Sequence, residues 1–205
     1  MNKPNVIVIT GPTGTGKTTV SILLAKRLDG EVVSSDSMQV YKYMDIGTAK
    51  PSAAEMNGVR HHMIDTVPPW EDYSVARYTE DASQCIDDII KRNKIPIITG
   101  GTGFYTDSLL KGREFSARGD DKLRKHFESE YDNIGGEVML ERLRLFDIDS
   151  ALRLHSNDKK RIVRAFEIYE ITGKTITLHD KESAALPQKN NIVLLLWLFH
   201  IHCLL

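Results

Sequence analysis

The chain opens on an unbroken apolar run, Val6-Ile7-Val8-Ile9, between Asn5 and Thr10. Short, β-branched and without polar alternation, it predicts a strand over 5–10 buried on both faces. From Lys17 to Leu28 the apolar positions Val20, Leu23, Leu24 and Leu28 return at helical spacing, so a helix follows. Residues 31–34 read as a second short strand and 62–65 as a candidate third. Ser74–Arg92 reads as a helix with Val75, Tyr78, Ala82, Cys85, Ile86 and Ile89 on one face, and 95–99 as a central strand. Strands alternating with helices predict a parallel sheet covered on both sides. Ligands of such sheets sit at the carboxyl ends of the strands, so the loops after Thr10, Ser35 and Thr99 are expected to converge on one site.

The period changes near Arg113. From Ala117 to about Gly173 the chain is charged and helical. Gly119–Tyr131 and Glu137–Phe146 read as amphipathic helices. Asn157 or Asp158 caps a third, with Ile162, Ala165, Phe166 and Tyr169 in one stripe and Gly173 as its stop. No strand signal returns until the run from Ile192 to Leu198. The expected fold class is α/β: a P-loop kinase-like parallel sheet core over 1–112 plus 190–205, carrying a helical insertion over 113–189.

Composition narrows the partners. The 205 residues hold 27 Lys and Arg against 28 Asp and Glu, a formal net charge of −1. That balance gives no global attraction to nucleic acid or membrane, so any nucleic-acid contact must use a local patch. Cys85 and Cys203 are far apart and show no zinc or redox spacing, which fits a reduced, cytoplasmic setting. Met1-Asn2-Lys3-Pro4 has no signal-peptide layout. The apolar C-terminal run is shorter than the ~20 residues that span a bilayer, so no membrane partner is expected.

Gly11-Pro12-Thr13-Gly14-Thr15-Gly16-Lys17-Thr18 lies between the first strand and the first helix, the setting that gives a P-loop its chemistry. Glycines let successive N–H groups turn inward, and the helix N-terminus favours anions. Lys17 supplies a mobile cation for phosphate, and the Thr18 hydroxyl is placed to ligate Mg²⁺. Asp36, in Ser34-Ser35-Asp36-Ser37-Met38-Gln39-Val40-Tyr41, follows the second strand. It suits a helix N-cap, a general base or a group that positions Mg²⁺. Gly100-Gly101-Thr102-Gly103 permits close backbone approach to a ligand, or simply a tight strand-to-helix turn. His61 and His62 point to opposite sides of an extended segment, so a structural or substrate-contact role is expected in place of metal binding. Lys159, Lys160, Arg161 and Arg164 cluster at a helix N-terminus, where the dipole disfavours cations. A solvated face would serve, but contact with a nucleic-acid backbone is the sharper reading.

In order along the chain stand GPTGTGKT, VVSSDSMQVYKYMDIGTAKP (Val32–Pro51), HHMID (His61–Asp65), YSVARY (Tyr73–Tyr78), ITGGTGFY (Ile98–Tyr105) and HSNDKKRIVRAFEIYEITGK (His155–Lys174). Together they resemble the bacterial tRNA dimethylallyltransferase family, also called tRNA isopentenyltransferases, over about residues 4 to 198. The resemblance implies transfer of a dimethylallyl group from dimethylallyl diphosphate to N6 of adenosine 37 of tRNA, beside the anticodon. It implies a P-loop (Gly11 to Thr18) that holds the diphosphate as a leaving group, with Mg²⁺ on Thr18. It implies Asp36 as acceptor of the N6 proton and Thr102 at the same centre. Ser37, Met38 and Gln39 would line the adenine pocket, and Lys160, Arg161, Ile162, Val163 and Arg164 would meet the tRNA. The expected partner is the anticodon stem-loop, bound by a cytoplasmic monomer, and the P-loop also admits ATP.

The sequence departs from that family at its end. Family chains continue past the last core strand into an Arg-bearing segment and a basic, aromatic region, whereas this sequence runs through Phe199-His200-Ile201-His202-Cys203 to Leu205. The expectation is a truncated or frameshifted chain. Two alternatives stay open: the P-loop and near-neutral charge permit a small-molecule P-loop kinase or free-adenylate prenyltransferase, and the abrupt apolar end permits an inactive remnant that still holds diphosphate.

Overall fold

The computed structural model describes residues 5–12, 14–110, 119–185 and 190–196. Thr13 of the P-loop, Cys203 and the last two positions of the expected final strand lie outside the described residues. The chain divides into two compact units, one comprising Met1–Gly112 with Pro187–Leu205 and the other Arg113–Leu186.

The first unit is an α/β sheet unit. Its strands are β1 (Asn5–Thr10), β2 (Gly30–Ser34), β3 (His61–His62), β4 (Ile95–Gly100) and β5 (Asn191–Leu196); its helices are α1 (Lys17–Leu28), α2 (Ala53–Met56), α3 (Val75–Lys91) and α4 (Gly103–Leu110). All strand pairs are parallel, in the order β3-β2-β4-β1-β5. The apolar runs are unbroken because each strand feeds two cores. Val6, Val8, Val33 and Ile98 pack with Tyr78, Ala82, Ile86 and Ile89 of α3, while Ile9, Val32 and Ile97 pack with Ile22 and Ala25 of α1. Successive side chains on a strand face opposite sides, so a run such as Val8-Ile9 supplies one residue to each.

Two expectations need correction here. The inward face of α1 is Lys17, Ser21, Ile22 and Ala25, with Val20 and Leu24 partly buried and Leu23 and Leu28 exposed. Small residues on that face let the helix sit close to the sheet. The third strand is His61–His62 and stops there, because Met63 and Asp65 take left-handed backbone angles (φ 63° and 54°) that end an extended segment.

A buried charge cluster ties the edge of this sheet together. Glu31 of β2 receives both guanidinium arms of Arg92, just past α3, and lies 2.7 Å from His62 Nε2 on β3. The Arg92 hydrogen bond, chiefly, holds the Glu31 carboxyl down at about 2 against the opposing effect of burial.

The second unit is helical: α5 (Asp121–Ile134), α6 (Gly136–Arg144), α7 (Ile148–Arg153), α8 (Lys159–Thr172) and α9 (Ile176–Ala185). Its core gathers Phe127, Met139, Leu143, Ala151, Ile162, Val163, Ala165 and Phe166. Tyr169, at the end of the expected stripe, is partly exposed and stacks on Phe146 at 4.3 Å. Asp147, just before α7, is buried and accepts from Ser150 N, Ser150 Oγ, Thr177 N and Thr177 Oγ1, which staples α7 to α9. Burial pushes the Asp147 carboxyl up, and those hydrogen bonds outweigh it and hold the carboxyl low. Among the described residues, no helix is long and apolar enough to cross a membrane.

Candidate active site

The P-loop leaves β1 and enters α1 through two left-handed glycines, Gly14 (φ 79°) and Gly16 (φ 83°). Gly16 occupies the N-cap position without a side chain to cap it. The first-turn N–H groups of α1 therefore have no side-chain acceptor from the cap, the condition in which a helix N-terminus takes an anion. The Lys17 ammonium and the Thr15 hydroxyl (2.8 Å) both donate to the Pro12 carbonyl. Burial pushes the Lys17 ammonium down from its ordinary range, and the negative charge of Asp36 partly restores it. Thr18 occupies the first turn, half-buried, its carbonyl taken by Ser21 Oγ at 2.8 Å.

Asp36, whose charge acts on Lys17, lies in the loop after β2, at the same carboxyl edge of the parallel sheet as the P-loop. Asp36 Oδ1 accepts from Met38 N (2.9 Å) and Gln39 N (3.3 Å), a turn closed by a side chain. Among the described residues Oδ2 makes no hydrogen bond. One carboxylate oxygen thus fixes the loop and the other makes no hydrogen bond; no helix follows directly on Asp36, so it closes a turn and does not cap a helix.

The loop after β4 holds this turn from the other side. Thr102 Oγ1 accepts from Ser37 N at 3.0 Å and donates to Ser37 Oγ at 3.3 Å, and Thr102 N donates to the Ser35 carbonyl at 3.2 Å. Thr106 Oγ1 reaches Ser35 Oγ at 2.9 Å. A Cβ on Gly100 would lie 2.4 Å from the Ser35 carbonyl oxygen. The glycine expected to let a backbone approach a ligand instead lets β4 approach the Asp36 turn. Asp36, Ser37 and Thr102 are therefore brought together at the carboxyl ends of β2 and β4.

Several residues that build this site were not marked from the sequence. Tyr105 stacks on Tyr78 (centroids 4.2 Å apart), whose hydroxyl donates to the Ser34 carbonyl. Burial raises the Tyr105 phenol, with Tyr41 and Asp36 adding to it. Lys50 is buried and donates to the Tyr41 carbonyl, Asp45 and Asp65 (2.9, 2.8 and 2.6 Å). Burial lowers its pKa, and the two carboxylates more than reverse that. Gln39 is also structural here: its carbonyl oxygen accepts from Ser34 Oγ, and its amide donates to the Thr48 and Ala49 carbonyls. Met38 is exposed beside it. His61 Nδ1 donates to the Val59 carbonyl, and burial holds the ring's pKa down. Both histidines have structural partners, and no metal-holding group of three His, Cys, Asp or Glu exists among the described residues.

In the helical unit the basic cluster divides. Lys159 turns to Asp132 (2.6 Å), and Arg164 donates to Glu167 (2.7 Å). Lys160 and Arg161 are exposed and make no ion pair among the described residues. Ile162 and Val163 are buried in the core of the unit, so their side chains are withdrawn from any ligand and only their backbone lies at the helix start. Lys160, Arg161 and Arg164 join Arg153 around a cavity of about 330 Å³ that Leu154 and Ile176 help to line. Arg153 lacked any sequence signal, since it joins the cluster through the fold.

Comparison with known proteins bears on both units. The family model described as IPP transferase matches residues 39–202. The chain is 47% identical over 192 residues to the tRNA dimethylallyltransferase of Acetivibrio thermocellus, covering 93% of this chain and 61% of that protein. It resembles the solved tRNA delta(2)-isopentenylpyrophosphate transferase of Staphylococcus epidermidis (40% identity, TM-score 0.58, 95% of this chain and 63% of that one). It also resembles a eukaryotic dimethylallyltransferase solved while acting on tRNA (36% identity, TM-score 0.81, 95% of this chain and 48% of that one). The chain thus spans less than two thirds of the length of each.

Proposed function

The chain belongs to the IPP transferase family, and from that premise we propose that it transfers a dimethylallyl group from dimethylallyl diphosphate to N6 of adenosine 37 in tRNA, beside the anticodon. The observation that carries this reading is the meeting of an uncapped P-loop with a half-free carboxylate. Lys17 and the Asp36 turn are electrostatic neighbours, and Thr102 holds that turn by its hydroxyl. A carboxylate near a P-loop suits removal of a proton from an attacking hydroxyl or amine alike, and membership of the IPP transferase family favours the amine.

In this reading the residues Gly11 to Thr18 bind the diphosphate, and Lys17 exchanges the Pro12 carbonyl for a phosphate oxygen. N6 attacks the allylic carbon, the C–O bond breaks, and its electron pair leaves with the diphosphate. The amine proton passes to the free oxygen of Asp36. Once the diphosphate is bound, the loop N–H groups and Lys17 already face the charge that develops and would stabilise departure without further rearrangement. Thr102 acts by holding Ser37 and so the Asp36 turn. Ser37, Met38 and the backbone of Gln39 face the adenine, which must leave its stack to reach them. The donor set fits Mg²⁺: a single hydroxyl, Thr18, beside a diphosphate suits an ion that takes one or two protein ligands and completes its shell with phosphate and water. When bound, Mg²⁺ supplies charge neutralisation on the leaving group. ATP shares the diphosphate and would compete for the loop. The exposed Lys160 and Arg161, with Arg153 and Arg164, offer phosphate contacts to an anticodon stem-loop, and a cytoplasmic monomer is the expected state.

The test joins the chain to the C-terminal region of the Acetivibrio thermocellus relative and supplies labelled dimethylallyl diphosphate, Mg²⁺ and an anticodon stem-loop. Label on N6 of the adenosine beside the anticodon is expected. Unlabelled RNA overturns the reading, and equal labelling of free adenylate redirects it to a small-molecule substrate.

A further inference from the structure

We infer that Glu167 is a positioning residue for RNA binding, which aims Arg164 and Arg124 from two different helices; this rests on the tRNA reading above. Glu167 lies in α8 with its side chain fully buried. Its two oxygens are divided between two arginines: Oε2 accepts from Arg164 Nη1 at 2.7 Å, one turn earlier on α8, and Oε1 accepts from Arg124 Nη2 at 3.1 Å, on α5. Oε1 also takes the Asp120 backbone N–H at 2.8 Å, just ahead of α5. The arginines differ from their anchor in exposure. The side chains of Arg124 and Arg164 are 43% and 34% exposed, against 0% for Glu167.

The arrangement is one buried carboxylate with a planar cation on each oxygen. A guanidinium has five N–H donors in a rigid plane, so fixing some of them on Glu167 sets the direction of the others. Long arginine side chains lose rotamer freedom when they grip a ligand, and an anchor removes part of that cost beforehand. Arg124 is also met by the exposed Asp121, 3.5 Å from its Nη1, so what Glu167 supplies to these arginines is a fixed geometry and not a surplus of charge. Arg164 lines the basic cavity with Lys160 and Arg161, so the aimed group belongs to the face assigned to RNA.

The sign of the effect separates positioning from simple charge. Glu167→Gln removes a negative charge from a surface meant for a polyanion. Electrostatics alone then predicts tighter RNA binding, whereas positioning predicts weaker binding. The experiment titrates the 205-residue chain and its Glu167→Gln variant with a labelled anticodon stem-loop at two salt concentrations, alongside thermal melts. We expect the variant to bind about tenfold more weakly at both salts, with donor binding unchanged. Equal or tighter binding by a folded variant overturns the inference and leaves the functional reading intact. Failure of the parent chain to bind the stem-loop overturns the inference, while the labelling experiment above decides the functional reading separately. Should Glu167→Gln not fold, Arg164→Lys decides: it keeps the charge and loses the plane. A loss of about tenfold supports aiming, and unchanged affinity overturns it.

Discussion

In the proposed reaction Asp36 is the residue on which the chemistry turns, and its two oxygens allow its roles to be separated. Asp36→Asn keeps an oxygen for Met38 N and Gln39 N and so keeps the turn, but an amide accepts no amine proton. Transfer should fall ~10²–10⁴-fold, the range of general-base catalysis, while the dissociation constant for dimethylallyl diphosphate, read by calorimetry, stays within about twofold. Lys17→Ala should do the reverse and weaken the donor first. Because burial lowers the Lys17 pKa, the ammonium loses its proton at a lower pH than an ordinary lysine. Donor affinity should therefore fall as pH rises through that depressed value, and Lys17→Ala should flatten the profile. Gly100→Ala tests the support. A methyl 2.4 Å from the Ser35 carbonyl must displace the Asp36 turn, so transfer should drop at least tenfold with donor binding retained. Asp36, Thr102 and the P-loop were legible because each sits in a short motif at a strand end. Lys50, the bond from the Tyr78 hydroxyl to the Ser34 carbonyl and the structural use of Gln39 were not, since a lysine holding the Tyr41 carbonyl, Asp45 and Asp65 looks like any surface lysine until the loop closes.

At the scale of elements, legibility followed burial. α3 was marked by periodicity because its buried positions Tyr78, Ala82, Ile86 and Ile89 are mostly apolar, and α8 because Ile162, Ala165 and Phe166 are. The helix α9 escaped because the residues it buries are Thr177 and Ser183, and Thr177 is held by hydrogen bonds to Asp147, not by an apolar stripe. The helices α2 and α7, four and six residues long, offer too few turns to show a period. Strand order escaped for a different reason: crossovers set which strands become neighbours, and the local pattern of each strand does not record it. What joins β2, β3 and α3 is a charge cluster that gives a measurable signature. The Glu31 carboxyl, held at about 2 in the folded chain against an ordinary 4.5, contributes stability that is fully present above pH 4.5. That contribution fades as pH falls toward 2, and amounts to ~3 kcal/mol at neutral pH. Urea melts at pH 7, 4.5 and 3 should show the parent losing this increment, with Glu31→Gln less stable at pH 7 by ~3–5 kcal/mol and nearly flat across the same range. A parallel decline in both proteins would place the acid sensitivity elsewhere.

Among the described residues, each unit has hydrophobic clusters of its own, two in the sheet unit and one in the helical unit. A unit with its own core can unfold on its own, so the chain should melt in two calorimetric transitions. Ligand linkage then assigns them. A ligand stabilises only the unit that binds it, by about 2.7 kcal/mol at a hundredfold excess over its dissociation constant. For a unit of this size that is on the order of 10 °C. Dimethylallyl diphosphate with Mg²⁺ should therefore raise one transition, that of the sheet unit carrying Gly11 to Thr18, and leave the helical transition within a degree or two. Lys17→Ala should abolish that shift while leaving both unliganded transitions close to the parent's. A single transition that moves as one with the diphosphate would mean that the two units share their stability. In that case the helical unit, with Glu167 and its arginines, would sense the donor, and donor and RNA binding would have to be treated as coupled events.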